Sequence, residues 1–135
     1  MDKRKALQIL ADHGYKITKR REDILDFFLH EEKYYPAKSL YEHIQLKDPG
    51  ISHDTVYRNL HLFHDLNILE STNLHDEKHF RIQCSDMHHH HFICEACGIT
   101  KKLKICPMDE VKSMLQDYHI DDHKFEVYGK CPDCA

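Results

Sequence analysis

No apolar run in this 135-residue chain approaches the roughly 20 residues needed to cross a bilayer, and the apolar run in its amino-terminal MDKRKALQIL is too short for a secretory leader. Membrane insertion and secretion are therefore not expected, and the predicted compartment is the reducing cytosol. An excess of positive charge is missing as well: 19 Lys and Arg stand against 23 Asp and Glu, a formal net charge of −4. Taken alone, that balance speaks against nucleic acid as a partner. The chain also lacks an H-E-x-x-H helix or any other obvious general-base arrangement, which removes the main support for a zinc hydrolase with an open coordination position. Its length suits one domain, or two small ones that share their stability with a partner or a metal.

What the chain has instead is metal-donor chemistry. Six cysteines in a reducing compartment point to metal rather than disulfides, and four of them form two Cys-x-x-Cys pairs, CEAC and CPDC, with 33 residues between them. Gly98 follows the first pair and Gly129 shortly precedes the second, so each can form a tight knuckle. Cys94, Cys97, Cys131 and Cys134 then supply the closed tetrahedral thiolate shell that structural zinc prefers. Two redox dithiols are the alternative, but a thioredoxin-like motif belongs to one βαβ context and would not come twice. The stretch MHHHHFICEACG, residues 87 to 98, sits in mid-chain and leads straight into the apolar Phe92 and Ile93, unlike an expression tag. It reads as strand, and strand side chains alternate between faces. His89 and His91 then share one face and His88 and His90 the other, each pair with Cα atoms about 6.6 to 7 Å apart, a span one metal can bridge. The alternative is a solvated histidine patch with weak metal affinity.

The first half reads as helices. Residues 3 to 12 carry an apolar stripe of Ala6, Leu7, Ile9 and Leu10 that Gly14 stops, and Thr18 caps a second helix bearing Ile24, Leu25, Phe27 and Phe28. Pro36 starts a third, AKSLYEHIQL. Ser52 caps a fourth, HDTVYRNLHLFHDL, whose Val56, Leu60 and Phe63 face inward and leave Asp54, Tyr57, Arg58 and His61 outward. Two alternating runs follow, ILESTNL and HFRIQC, joined by the polar turn HDEK, which predicts a two-stranded wing. The expected fold of this half, residues 1–83, is a winged helix-turn-helix. Despite the acidic total, YKITKRR at residues 15 to 21 holds Lys16, Lys19, Arg20 and Arg21 without one acid, at a helix start where phosphates can be met. Bound metal cations would offset part of the acidic balance.

The stretches GYKITKRRE, GISHDTVYRNLHLFHDLNILE, FRIQC, HHHHFICEACG, CPMD, HKFEVYG and CPDC, in that order, resemble the ferric-uptake-regulator (Fur) family over nearly the whole chain. They are most similar to its zinc-sensing branch (Zur) in Gram-positive bacteria. The resemblance implies a homodimeric repressor of α+β fold overall, without catalysis, whose small C-terminal α/β domain, residues 84–135, dimerises and whose hinge holds the sensing metal. It implies structural zinc on Cys94, Cys97, Cys131 and Cys134, a sensing zinc on Glu70, Cys84, His89 and His91, and a second site on His88, His90, Asp109 and His123. His75 or His79 could replace Glu70, and Glu110 could replace Asp109. A thiolate at Cys84 suits Zn²⁺ better than Fe²⁺ or Mn²⁺, whereas iron- and peroxide-sensing relatives resemble an oxygen and nitrogen site. Cys106, ahead of Pro107 and outside both pairs, reads as a packed thiol.

The implied partner is double-stranded DNA carrying an AT-rich palindrome, since a two-fold dimer presents its recognition helices about one helical turn, or a multiple, apart. Tyr57 and Arg58 are the expected base contacts, with Ser52 and Thr55 at the start of the same helix, while Lys16 and Arg20 position the phosphate backbone. A zinc-buffering protein would need neither Tyr57 nor Arg58.

Overall fold

Local caps set most of the helices. The computed structural model describes residues 1–84 and 88–135. In it, helix α1 (Lys3–Asp12) starts where the Asp2 carboxylate accepts the Lys5 N–H at 2.8 Å. It ends in a Schellman motif: the Gly14 N–H donates to the Ala11 carbonyl and the Tyr15 N–H to that of Leu10, with Gly14 at φ 80°. Helix α2 (Lys19–Leu29) is capped by the Thr18 hydroxyl, and α3 (Ala37–Lys47) follows Pro36. Helix α4 (His53–Asp65) is capped by Ser52, whose Oγ accepts the Thr55 N–H at 3.1 Å. It ends in a second Schellman motif, with Asn67 in the left-handed region at φ 58°.

The expected inward faces are buried. Val56, Leu60 and Phe63 of α4 lie in one core with Leu10, Ile24, Leu25, Phe28, Leu40 and Ile44. Each such side chain contributes about 1.5–3 kcal/mol by leaving water, so truncating Leu60 to Ala should cost about 2–5 kcal/mol. The strands β2 (Leu69–Leu74) and β3 (Glu77–Ile82) form the wing hairpin, in register Leu69 to Ile82 and Leu74 to Glu77. The sequence reading needs two corrections here. The turn is not the four residues HDEK but only His75 and Asp76, both at positive φ (52° and 62°), because a two-residue turn with that geometry matches the twist of the paired strands. A short strand β1 (Tyr35–Pro36) also joins β3, Tyr35 opposite Phe80, making a sheet of three strands. Proline is tolerated there because the strand lies at the sheet edge.

The chain divides into two units, Met1–Asp86 and Met87–Ala135, where the sequence reading ended the first domain at residue 83. The second unit is built on strand β4 (His90–Cys94), flanked by antiparallel β5 (Thr100–Leu103) and parallel β6 (Glu126–Gly129). Helix α5 (Met108–Met114) lies in the connection from β5 to β6. With β4 central, its start carries histidines and its end carries Cys94 paired to Gly129, two residues before Cys131. Two distinct donor clusters are thereby tied to one five-residue strand. Among the described residues, no helix is long and apolar enough to cross a membrane.

Candidate metal centres and nucleic-acid face

The first cluster joins the two cysteine pairs. The CEAC knuckle closes when the Gly98 N–H donates to the Cys94 carbonyl at 2.9 Å, with Gly98 at φ 81°. The parallel pairing of β4 with β6 brings the CPDC turn alongside, and a Cβ on Gly129 would meet the Phe92 ring at 3.3 Å. All four sulfurs then lie within 4.8 Å of one another. Cys97 Sγ and Cys131 Sγ are 3.8 Å apart, far beyond a disulfide and equal to the edge of about 3.8 Å expected of a tetrahedron with Zn–S near 2.3 Å. Burial alone would raise the Cys94 thiol, but the backbone N–H groups of Cys131, Cys97 and Ala96 outweigh it and bring it down to about 6. Cys134 is pushed up to about 12 by its sulfur neighbours Cys131 and Cys97. One thiolate is favoured and the next is resisted, so the full set of charges calls for a divalent cation at its centre, and the donor chemistry fits zinc.

The second cluster gathers at the start of β4. His88 and His89 precede the strand, but the alternation extends to them: His88 Nε2 and His90 Nε2 are 2.9 Å apart, and His123 Nε2 is 3.1 Å from that of His88. Burial, then the neighbouring rings of His88 and His123, lower the pKa of His90 and favour the neutral form that ligates metal. Three of the four expected second-site residues thus converge. The fourth donor within reach is the Cys106 sulfur, 3.2 Å from His90 Nε2 and 3.7 Å from His123 Nε2. Asp109, expected in that place, is exposed on the first turn of α5 and lines an adjoining cavity of 380 Å³ together with His88, Cys106 and His123. Glu110, its rival, is also exposed. Sequence reasoning set Cys106 aside because it stands outside any pair, and nothing local marks a single cysteine that folding carries 16 positions back to His90.

The expected sensing residues divide between the units. Glu70, on β2 opposite Arg81 of β3, presents Oε1 to the Arg81 guanidinium at 3.1 Å and to the Tyr34 hydroxyl at 3.3 Å. Arg81 is only 1% exposed, so this ion pair is a fixed part of the wing. Cys84 follows β3 and is half-buried. In the second unit the His89 and His91 rings lie 6.4 Å apart, the pairing that alternation predicts. His79 is engaged with the Glu77 carbonyl at 2.8 Å, and His75 sits in the wing turn.

On the first unit, α4 presents the expected polar face: Tyr57 is 48% exposed and Asp54, Arg58 and His61 are exposed. Ser52 and Thr55 sit at its start, their hydroxyls 2.9 Å apart, with Thr55 half-buried. Lys16 and Arg20 are exposed around a pocket of 460 Å³ that also takes in Tyr15, Thr18, Arg21 and Asn59. Arg21, which the sequence reading grouped only with the basic run, ties this pocket to α4 by donating to Asn59 Oδ1 at 3.1 Å and to the Lys16 carbonyl at 2.7 Å. Arg20 is already paired, its Nε 2.6 Å from Asp48 Oδ2.

A sequence profile described as the Ferric uptake regulator family matches residues 12–128. The Ferric uptake regulation protein of Staphylococcus epidermidis strain ATCC 12228 is 51% identical over 134 residues, covering 99% of this chain and 96% of its own length. Among solved structures, the Helicobacter pylori ferric uptake regulator Fur, described as having three functional metal binding sites, superposes with a TM-score of 0.72 at 18% identity, over 97% of this chain and 89% of that one. A zinc-bound manganese uptake regulator superposes with a TM-score of 0.70 at 22% identity, over 93% of this chain and 98% of that one. At those identities the likeness speaks for the fold.

Proposed function

The chain belongs to the ferric uptake regulator family, and on that premise we propose that it is a zinc-responsive, DNA-binding transcriptional repressor of metal-uptake genes that acts as a homodimer. The observation that carries this reading is the union, in one chain, of a winged helix presenting Tyr57 and Arg58 with two donor clusters built for a cation. Zinc supplies positive charge and fixed tetrahedral coordination. In this reading Glu70 and Cys84 of the first unit and His89 and His91 of the second are the ligands of the sensed zinc, and the metal acts by population shift. Arg81 and Tyr34 both hold Oε1 of Glu70 and so orient its carboxylate.

On DNA, α4 enters the major groove with Arg58 set to grip a guanine edge and the Tyr57 ring to pack on a thymine methyl. Lys16, Arg20 and the N-terminal end of α2 meet phosphates. Two-fold symmetry then calls for a palindromic operator.

The choice of zinc rests on Cys84, because a thiolate beside two imidazoles favours zinc over harder cations. A second reading, iron as the sensed metal, is favoured by the name of the S. epidermidis relative. Fluorescence anisotropy on labelled AT-rich palindromes separates the two. Operator binding should be restored to chelator-treated protein by Zn²⁺ and not by Fe²⁺ or Mn²⁺ under anaerobic conditions. Restoration by Fe²⁺ alone would replace zinc with iron and leave the regulator reading standing.

A further inference from the structure

We propose that Cys106 completes, with His88, His90 and His123, a three-imidazole, one-thiolate site that binds a thiophilic divalent cation of the zinc class, in the place expected of the Asp109 carboxylate. The site lies wholly within the second unit, so its geometry does not depend on how the two units are arranged. Its four donor atoms all fall within 4.8 Å of one another. The separations of 2.9, 3.1, 3.2 and 3.7 Å scatter around the edges of about 3.3 to 3.6 Å that tetrahedral zinc with N and S ligands requires.

Hydrogen bonding accounts poorly for this convergence. His88 Nε2 faces the nitrogens of both His90 and His123, and His90 Nε2 faces both His88 Nε2 and Cys106 Sγ. A neutral imidazole nitrogen is either a donor or an acceptor and cannot serve all these neighbours well, whereas one cation engages four lone pairs at once. The elements also explain the aim. Strand alternation turns His88 and His90 to one side, and the segment between β5 and α5, halted by Pro107, brings the Cys106 sulfur to them. Asp109, one turn into the helix and exposed, is left at the cavity rim.

Exchanging carboxylate for thiolate keeps the ligand charge but changes its softness. That moves selectivity away from Mn²⁺ and Fe²⁺ towards Zn²⁺, Co²⁺ or Cd²⁺. The proposal rests on the metal-regulator reading only for its biological consequence, and its test is read without DNA.

Full-length protein with its structural zinc in place is made as Cys84→Ser, so that Cys106 is the only cysteine outside the paired four, and titrated with Co²⁺. Thiolate-to-cobalt charge-transfer absorption in the near ultraviolet should appear with tetrahedral visible bands. It should vanish in Cys84→Ser/Cys106→Ser and persist in Cys84→Ser/Asp109→Ala. Zinc affinity of the site should fall about 100-fold or more without Cys106, since even partners one shell out are worth about 10- to 100-fold. Because a double variant can misfold, the unmodified protein is also alkylated and peptide-mapped: zinc should protect Cys106 from iodoacetamide, and His123→Ala should abolish that protection. Charge transfer surviving the loss of Cys106, bands lost with Asp109, or alkylation of Cys106 at the same rate with and without zinc would each overturn the assignment. Failure of zinc to promote operator binding, with the cobalt bands intact, would instead count against the zinc-repressor reading alone.

Discussion

Arg58 and Arg20 are both exposed arginines of the first unit, yet their surroundings differ. Arg58 donates to its own helix, at the Asp54 carbonyl 3.4 Å away, while Arg20 has its Nε on Asp48. Arg58→Ala should weaken operator binding by about 1 to 3 kcal/mol and relax the sequence preference, whereas Lys16→Ala should weaken all DNA alike and flatten the salt slope. Arg20→Ala should do less than Lys16→Ala, and Asp48→Asn should strengthen non-specific binding. Anisotropy across a salt series, on operator and scrambled duplexes, reads all four. Period alone makes Tyr57 and Arg58 legible in the sequence as outward residues, but the Arg20 partner lies 28 positions away and no local pattern announces it. A second residue-scale consequence concerns His64, whose Nε2 lies 3.0 Å from Ser71 Oγ and whose pKa is lowered from 6.5 first by burial and then by Lys78. Its folded form takes a proton less readily than the unfolded chain, so its contribution to stability is present above about pH 6.5 and lost as pH falls through the folded value. His64→Gln should therefore narrow the difference in urea midpoint between about pH 7.5 and about pH 5.5, while an unchanged difference would remove His64 from the acid response.

At the scale of elements, caps and periodicity carry the reading and loops limit it. Thr18 and Ser52 cap their helices as their residue types suggest, and the buried stripe of α4 is the predicted one. The wing turn is shorter than its polarity suggests, because Glu77 and Lys78 are paired strand residues whose side chains face solvent, and polarity alone does not separate an exposed edge from a turn. The partner strand at Tyr35–Pro36 is too short for any periodic signal. In the second unit, the four-cysteine centre is legible from spacing, but the pairing that makes it, β4 parallel to β6, is a long-range event. Because a closed thiolate shell contributes folding energy directly, Cys131→Ser should unfold the second unit or abolish dimerisation and remove one zinc per chain. Metal analysis with analytical ultracentrifugation checks this, and a stable Cys131→Ser dimer with undiminished zinc would contradict it.

For the whole molecule, the proposed sensing ligands are drawn from both units. Cys84→Ser, or His89→Ala with His91→Ala, should leave a folded protein that retains its structural zinc but has lost zinc-dependent operator binding. His88→Ala with His90→Ala should only shift the zinc concentration at half-response or its steepness. Identical zinc titrations of operator binding for both double variants would merge the two faces of the histidine run into one role. The two pairings within the histidine run are legible because strand alternation sorts them in sequence, whereas Cys106 enters through a loop whose path no pattern predicts. The parallel pairing of β4 with β6 also has a consequence in time. Cys94 and Cys134 are 40 residues apart in the chain, so at about 5–20 residues per second a ribosome makes the first knuckle about 2–8 s before the last ligand exists. Throughout that interval the Cys94–Cys97 pair has no second pair to complete it, so the four-thiolate shell cannot close until the last strand and knuckle have been made. The second unit can therefore close its four-thiolate centre only at the end of synthesis, and only with a suitable cation at hand.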